Sequence, residues 1–224
     1  MMNLTTLNSP AGFPLLWNGV GVRLFNVGKR FNREWIFRRF NHEFVTGKNY
    51  AITGPNGSGK STLLQVIAGA TLHNEGTVEY HTGQTKTTDE KQYSYISIAA
   101  PYLELIEEMT AKEMLDFHSK FKPLIQSLTI EEMLTVVGLE TAINKQIRYF
   151  SSGMKQRLKL AQAFFSNTPI LLLDEPTTNL DADGIALYQN LINHYTKNKL
   201  VIVSSNVKQE YDFCEEVIEI GDYK

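Results

Sequence analysis

The chain has 224 residues, with 22 basic and 24 acidic side chains for a formal charge of −2, and 42% of its residues are hydrophobic. That balance excludes wholesale disorder and a general polyanion binder, and the length suffices for one large domain whose core needs no disulfide or metal staple. Cys214 is the only cysteine, which excludes an internal disulfide and a cysteine-rich zinc site and fits a reducing compartment.

Residues 1–21, with Pro10 and Pro14, lack the charged start of a signal peptide and read as a polar lead-in. Arg23 to Val27, Trp35 to Phe44 and Thr77 to Tyr80 read as strands bounded by Gly28, Gly47 and Gly76. Tyr50 to Thr53 is a short apolar strand running into glycine-rich sequence. Lys60 to Ala68 follows as a helix, with Leu63, Leu64 and Ile67 on one face and Gly69 as its stop. The least polar run, Tyr93 to Leu103, has 11 residues and contains Pro101, so nothing reaches the roughly 18 apolar residues of a membrane span.

The middle changes character. Thr110-Ala111-Lys112-Glu113 and Thr129-Ile130-Glu131-Glu132 are capping boxes, opening helices towards Phe121 and Gly138. Residues 97–148 therefore read as a mostly helical insert. After it come a helix from Ser152 to Phe165, a strand from Ile170 to Leu173, a helix from Ala182 to Tyr195, a strand from Leu200 to Ser204 and a last strand near Val217 to Ile220. Near-continuous apolar strands alternating with helices predict an α/β fold with a largely parallel sheet covered on both faces.

Two motifs carry chemistry. Gly54-Pro55-Asn56-Gly57-Ser58-Gly59-Lys60-Ser61 fits G-x-x-x-x-G-K-[ST] between a strand and a helix. Its glycines let backbone N–H groups turn inward around a phosphate chain, and the following helix aims its positive end at the same anion. Lys60 would reach the β- and γ-phosphates. Ser61 offers a hydroxyl to Mg²⁺, and the residues from Gly54 to Thr62 are candidate nucleotide contacts. The second motif is the buried strand ending in Asp174 and Glu175. Neighbouring strand residues face opposite ways, so one acid should hold Mg²⁺ and the other should handle the attacking water.

Taken together the chain resembles an ATP-binding cassette (ABC) ATPase over roughly residues 22–220. The discriminating stretch is Phe150-Ser151-Ser152-Gly153-Met154-Lys155-Gln156-Arg157, similar to the family signature L-S-G-G-Q or L-S-G-G-M. Leu180-Asp181 resembles the family's D-loop, and Phe31 stands where the family places an aromatic on adenine. The resemblance implies a P-loop NTPase core, at about 22–96 and 149–224, with an N-terminal antiparallel β subdomain and the helical insert. It also implies ATP and Mg²⁺ as cofactors, Asp174 on the metal and Glu175 as catalytic base. Two copies, or one copy and a second ABC ATPase chain, would meet head to tail, Ser151 and Gly153 of one clasping the ATP on the loop of the other. An integral membrane permease contacting the insert around residues 97–121 would hold the chain at the cytoplasmic face of the cell membrane.

Three departures stand out. Asn206 occupies the place of the family histidine, and an asparagine amide carries no proton at neutral pH. Ile98-Ala99-Ala100-Pro101 lacks the family's glutamine, and Ser152 replaces the second signature glycine. The expectation is a slow Mg²⁺-dependent ATPase. The alternatives are a cassette protein serving DNA, ribosomes or iron–sulfur assembly, and a weakly hydrolysing regulatory module. Lys29, Arg30, Arg33, Arg38 and Arg39 interleave with Phe31, Trp35, Phe37 and Phe40. With net charge −2, this reads as the wet face of an antiparallel sheet rather than a nucleic-acid surface. The five histidines have no metal spacing.

Overall fold

The computed structural model describes residues 19–82, 85–86 and 89–224. The lead-in lies outside the described residues up to residue 18, and Val20 and Gly21 already belong to a strand. In chain order the elements are β1 (Val20–Phe31), β2 (Glu34–Val45), β3 (Asn49–Thr53), α1 (Lys60–Ile67), β4 (Glu75–Thr82), β5 (Thr85–Lys86), β6 (Ile96–Ala99), α2 (Ala111–Ser119), α3 (Ile130–Val136), α4 (Ser152–Phe165), β7 (Ile170–Asp174), α5 (Ala182–Tyr195), β8 (Leu200–Ser204), α6 (Lys208–Tyr211) and β9 (Glu216–Glu219).

The strands form two sheets, an antiparallel one ordered β2-β1-β4-β5 and a parallel one ordered β6-β7-β8-β3-β9. In the antiparallel sheet Phe37 and Phe40 are fully buried. Arg38 pairs with Glu75 at 2.8 Å on the wet face and lies 4.5 Å from the Trp35 ring centroid. Gly28 does not end β1 as the sequence suggests. The strand passes through it with register shifts on either side, and a Cβ there would come within 2.9 Å of the Trp35 ring. The glycine is there for close approach, not as a break.

The parallel sheet divides the core. Along β7 and β8, Leu171, Leu173, Val201 and Val203 join the cluster on the side of α4, α5 and the insert. Ile170, Leu172, Leu200 and Ile202 join the cluster beneath α1 and the antiparallel sheet. Each fully buried leucine contributes about 2 kcal/mol of transfer free energy. In the insert, Thr110 and Thr129 make both halves of their capping boxes. Met114, Leu115, Met133 and Leu134 pack towards Leu158 and Ala161 of α4.

The insert starts later than the sequence implies. Residues 97–99 belong to β6, which pairs in parallel with β7. Four residues are too few to mark a strand by pattern, and Ser97, which looks like a solvent-facing position, is buried, its hydroxyl accepting from Thr168 Oγ1 at 2.8 Å. The last strand is displaced by one residue, and Ile220 opens a terminal 3₁₀ turn instead. Nothing in the sequence signalled the one-turn helix α6.

Candidate nucleotide site

The phosphate loop leaves β3 at Gly54 and enters α1 at Lys60. Gly54 and Gly59 take φ of 142° and 107°. A Cβ at Gly54 would lie 2.6 Å from Glu219 Oε1 and 2.7 Å from Ile220 Cγ2, and one at Gly59 would lie 2.4 Å from Ile36 Cγ2. Side chains at either place would fill the wall of the cradle. Lys60 is only 5% exposed. Its Nζ folds back to donate to the carbonyls of Gly54, at 2.7 Å, and Pro55, at 3.3 Å. In this structure the cation predicted to meet phosphate instead braces its own loop.

Asp174 ends β7, an interior strand of the parallel sheet, and is 1% exposed. Burial lifts its carboxyl above the ordinary value and Glu175 adds to that, while the nearby Ser61 and Ser204 hydroxyls and Lys60 pull it back. Its Oδ1 has no hydrogen-bond partner. An orphaned carboxylate oxygen beside a serine hydroxyl is an oxygen donor set that fits a hard divalent cation. Glu175 diverges from Asp174, though not by strand alternation. It lies past the strand with φ of 42°, its N–H donating to Ser204 O at 2.9 Å.

Asn206 follows β8 and meets the loop directly. Its Oδ1 accepts from Gly54 N at 3.2 Å, and its Nδ2 donates to Asn56 Oδ1 at 3.1 Å. Both ends of the amide are thereby engaged.

Sequence reasoning missed three residues here. Tyr102 lies just past β6, with Gln65 of α1 and Asp174 in its surroundings. Burial pushes its pKa up to about 12, the Asp174 charge adding to this and the Gln65 contact opposing it. Lys159 of α4 donates to the carbonyls of Ala100, at 3.3 Å, and Pro101, at 2.8 Å, fixing the turn that carries Tyr102. Glu210 of α6 is 2% exposed, and its Oε1 accepts both the backbone N–H, at 2.8 Å, and the hydroxyl of Thr177. It thus ties the segment after Asn206 to the turn after Glu175. None of the three belongs to a local motif.

The signature residues assemble elsewhere. Ser151 caps α4, its Oγ accepting from Met154 N at 3.2 Å. Asp181 caps α5, accepting from Gly184 N at 2.8 Å. That N–H and Arg157, 3.3 Å away, hold the Asp181 carboxyl below the usual range. Ser151, Gly153 and Asp181 line one groove of about 460 Å³, and no residue of the phosphate loop lines it. Phe31, at the tip of the β1–β2 hairpin, is half exposed, with Lys29 Nζ 4.7 Å from its ring centroid. The same hairpin touches the loop through Ile36.

A family model described as ABC transporter matches residues 37–178. The chain is 29% identical over 202 residues to the ABC transporter ATP-binding protein YybJ of Bacillus subtilis, covering 89% of this chain and 92% of that protein. It is 27% identical over 203 residues to the lantibiotic transport ATP-binding protein SrtF of Streptococcus pyogenes, covering 88% and 85%. Among solved structures, a dimeric post-hydrolysis state of the ATP-binding cassette MJ0796 bound to ADP and phosphate superposes with a TM-score of 0.75. Its identity is 27%, and the match covers 89% of this chain and 95% of that one. The matched segment takes in the phosphate loop, the signature and the Asp174–Glu175 pair, and with this fold it places the chain in the ABC transporter family, as one of its ATP-binding subunits.

Proposed function

We propose that the chain binds MgATP on the phosphate loop, hydrolyses it, and drives a membrane-embedded permease through head-to-tail pairing with a second copy or a second ABC ATPase chain. The observation that carries this is the meeting of the Gly54–Ser61 cradle with the orphaned carboxylate of Asp174. The separation of the signature groove from that cradle supports pairing, since one chain presents the two halves of a clasp at different places. The dimeric MJ0796 cassette and the transport role named for SrtF support the same reading. Among the described residues no helix is long and apolar enough to cross a membrane, so attachment at the inner face of the cell membrane would fall to the permease. The insert, from about residue 100 to 148, is its docking candidate.

In this reading each residue has one task. Lys60 exchanges the Gly54 and Pro55 carbonyls for phosphate oxygens, a stronger charge-assisted bond. Ser61 and Asp174 would hold Mg²⁺, which offsets the negative charge of the phosphates when bound. Glu175 takes the proton of the attacking water. Ser151 and Gly153 of the second copy donate to the γ-phosphate, and loss of that phosphate reopens the pair.

An affinity-tagged chain purified from detergent-solubilised membranes should bring a multispan membrane protein with it and hydrolyse ATP faster in that complex. A tagged chain that comes alone and shows no Mg²⁺-dependent hydrolysis overturns the reading. Asn206 supplies a second test. Its amide is committed to Gly54 and Asn56 and carries no proton. Asn206→His is expected to raise steady-state turnover severalfold, and an unchanged or lower rate would remove Asn206 as the limit on hydrolysis.

A further inference from the structure

We infer that Glu210 is a positioning residue for hydrolysis. It anchors the Asn206–Glu210 segment as a strut that holds the turn carrying Glu175 at a fixed place relative to the phosphate loop. This deepens the MgATP reading above and rests on it.

The strut is short and bonded at both ends. At one end the Asn206 amide accepts from Gly54 N and donates to Asn56 Oδ1. At the other, Glu210 Oε1 accepts the N–H of Thr177 at 2.8 Å and the Thr177 hydroxyl as well. Between them the chain is compact, Val207 N donating to Ser205 Oγ at 2.8 Å and Glu210 N to Val207 O at 2.9 Å. The Tyr188 hydroxyl of α5 donates to the Glu210 carbonyl at 2.7 Å, so the anchor is itself pinned. Thr177 lies just past Glu175 in a closed turn, Thr178 N donating to Glu175 O at 3.1 Å and Leu180 N to Thr177 O at 3.0 Å. Gln156 of α4 meets the same turn through Pro176 O at 2.7 Å. Glu210 supplies the tie to the segment that touches the phosphate loop.

A carboxylate is a costly way to brace a turn. Glu210 is 2% exposed, and its Oε2 has no hydrogen-bond partner among the described residues. A neutral acceptor would close the same two bonds with a smaller desolvation penalty. What the charge adds is bond strength. Both donors belong to one residue, so the backbone and side chain of Thr177 are fixed together. Such stiffness matters where a proton acceptor must stay in line, since a misplacement of about 1 Å can cost about a hundredfold in rate.

The test uses the full-length protein with MgATP. Glu210→Gln keeps the shape and an acceptor oxygen but removes the charge. It should lower kcat about tenfold and leave the KM for ATP and the calorimetric ATP stoichiometry within about twofold. Thr177→Val, which removes only the hydroxyl, should lose about threefold, the scale of one modest hydrogen bond. Thr177→Ser should restore the parental rate. In a Glu175→Gln background the group being positioned is gone, so Glu210→Gln should change the single-turnover rate by less than about twofold. A parental kcat in Glu210→Gln overturns the assignment and leaves the MgATP reading intact. So does a loss that persists undiminished beside Glu175→Gln, or a matching fall in ATP stoichiometry, which marks a structural role. Wild-type protein that hydrolyses no ATP takes down both.

Discussion

Replacing Glu175 with glutamine should lower steady-state ATP hydrolysis by about a hundredfold or more while leaving ATP affinity within about twofold. The size follows from the loss of a positioned proton acceptor, which in general acid–base catalysis is worth roughly 10²–10⁴ in rate. The selectivity follows from the structure. Glu175 is carried clear of β7 by its φ of 42° and fixed through its N–H to Ser204 O, so the isosteric amide should keep the backbone in place. With the γ-phosphate retained, the variant should also accumulate as a dimer in ATP, seen by size-exclusion chromatography with light scattering. Turnover at the parental rate would show that another group activates the water.

The second large effect belongs to Lys60. Lys60→Met is expected to weaken ATP binding by about a hundredfold, the scale of a lost charge-assisted contact to phosphate, as measured by calorimetry. The loop should suffer too, because methionine leaves the carbonyls of Gly54 and Pro55 without the donor they have now. Lys60→Arg separates the two effects. It keeps the charge, but its planar fork suits the tight turn less well than a compact ammonium, so it should recover only part of the affinity. An unchanged dissociation constant in Lys60→Met would rule out phosphate binding at this loop.

Elements that announce themselves locally were legible in the sequence. Helices α2 and α3 begin at the capping boxes opened by Thr110 and Thr129, and each box makes both of its expected bonds. Strands β7 and β8 were visible as unbroken apolar runs, because the sheet is covered on both faces. The phosphate loop was legible because its backbone demands glycine at Gly54 and Gly59. The remainder depends on contacts distant in sequence. Strand β6 is defined by its pairing with residues some 70 positions later. Tyr102 carried no signal in the sequence, because its place depends on that same pairing. The Glu210 carboxylate gains its partner from Thr177, 33 residues away. Asn206 was read as a substitution that removes a proton, but its engagement of both Gly54 and Asn56 needed coordinates.

The alternation along β7 and β8 has a mechanical meaning. Because odd and even residues of the same strands serve opposite hydrophobic clusters, the sheet is a shared wall, and losing it strips the lining from both halves. A deletion of one residue in β7 would invert both linings at once and carry Asp174 to the wrong face. Loosening on the insert side should therefore be felt at the phosphate cradle, and the two halves are expected to unfold together in one thermal transition.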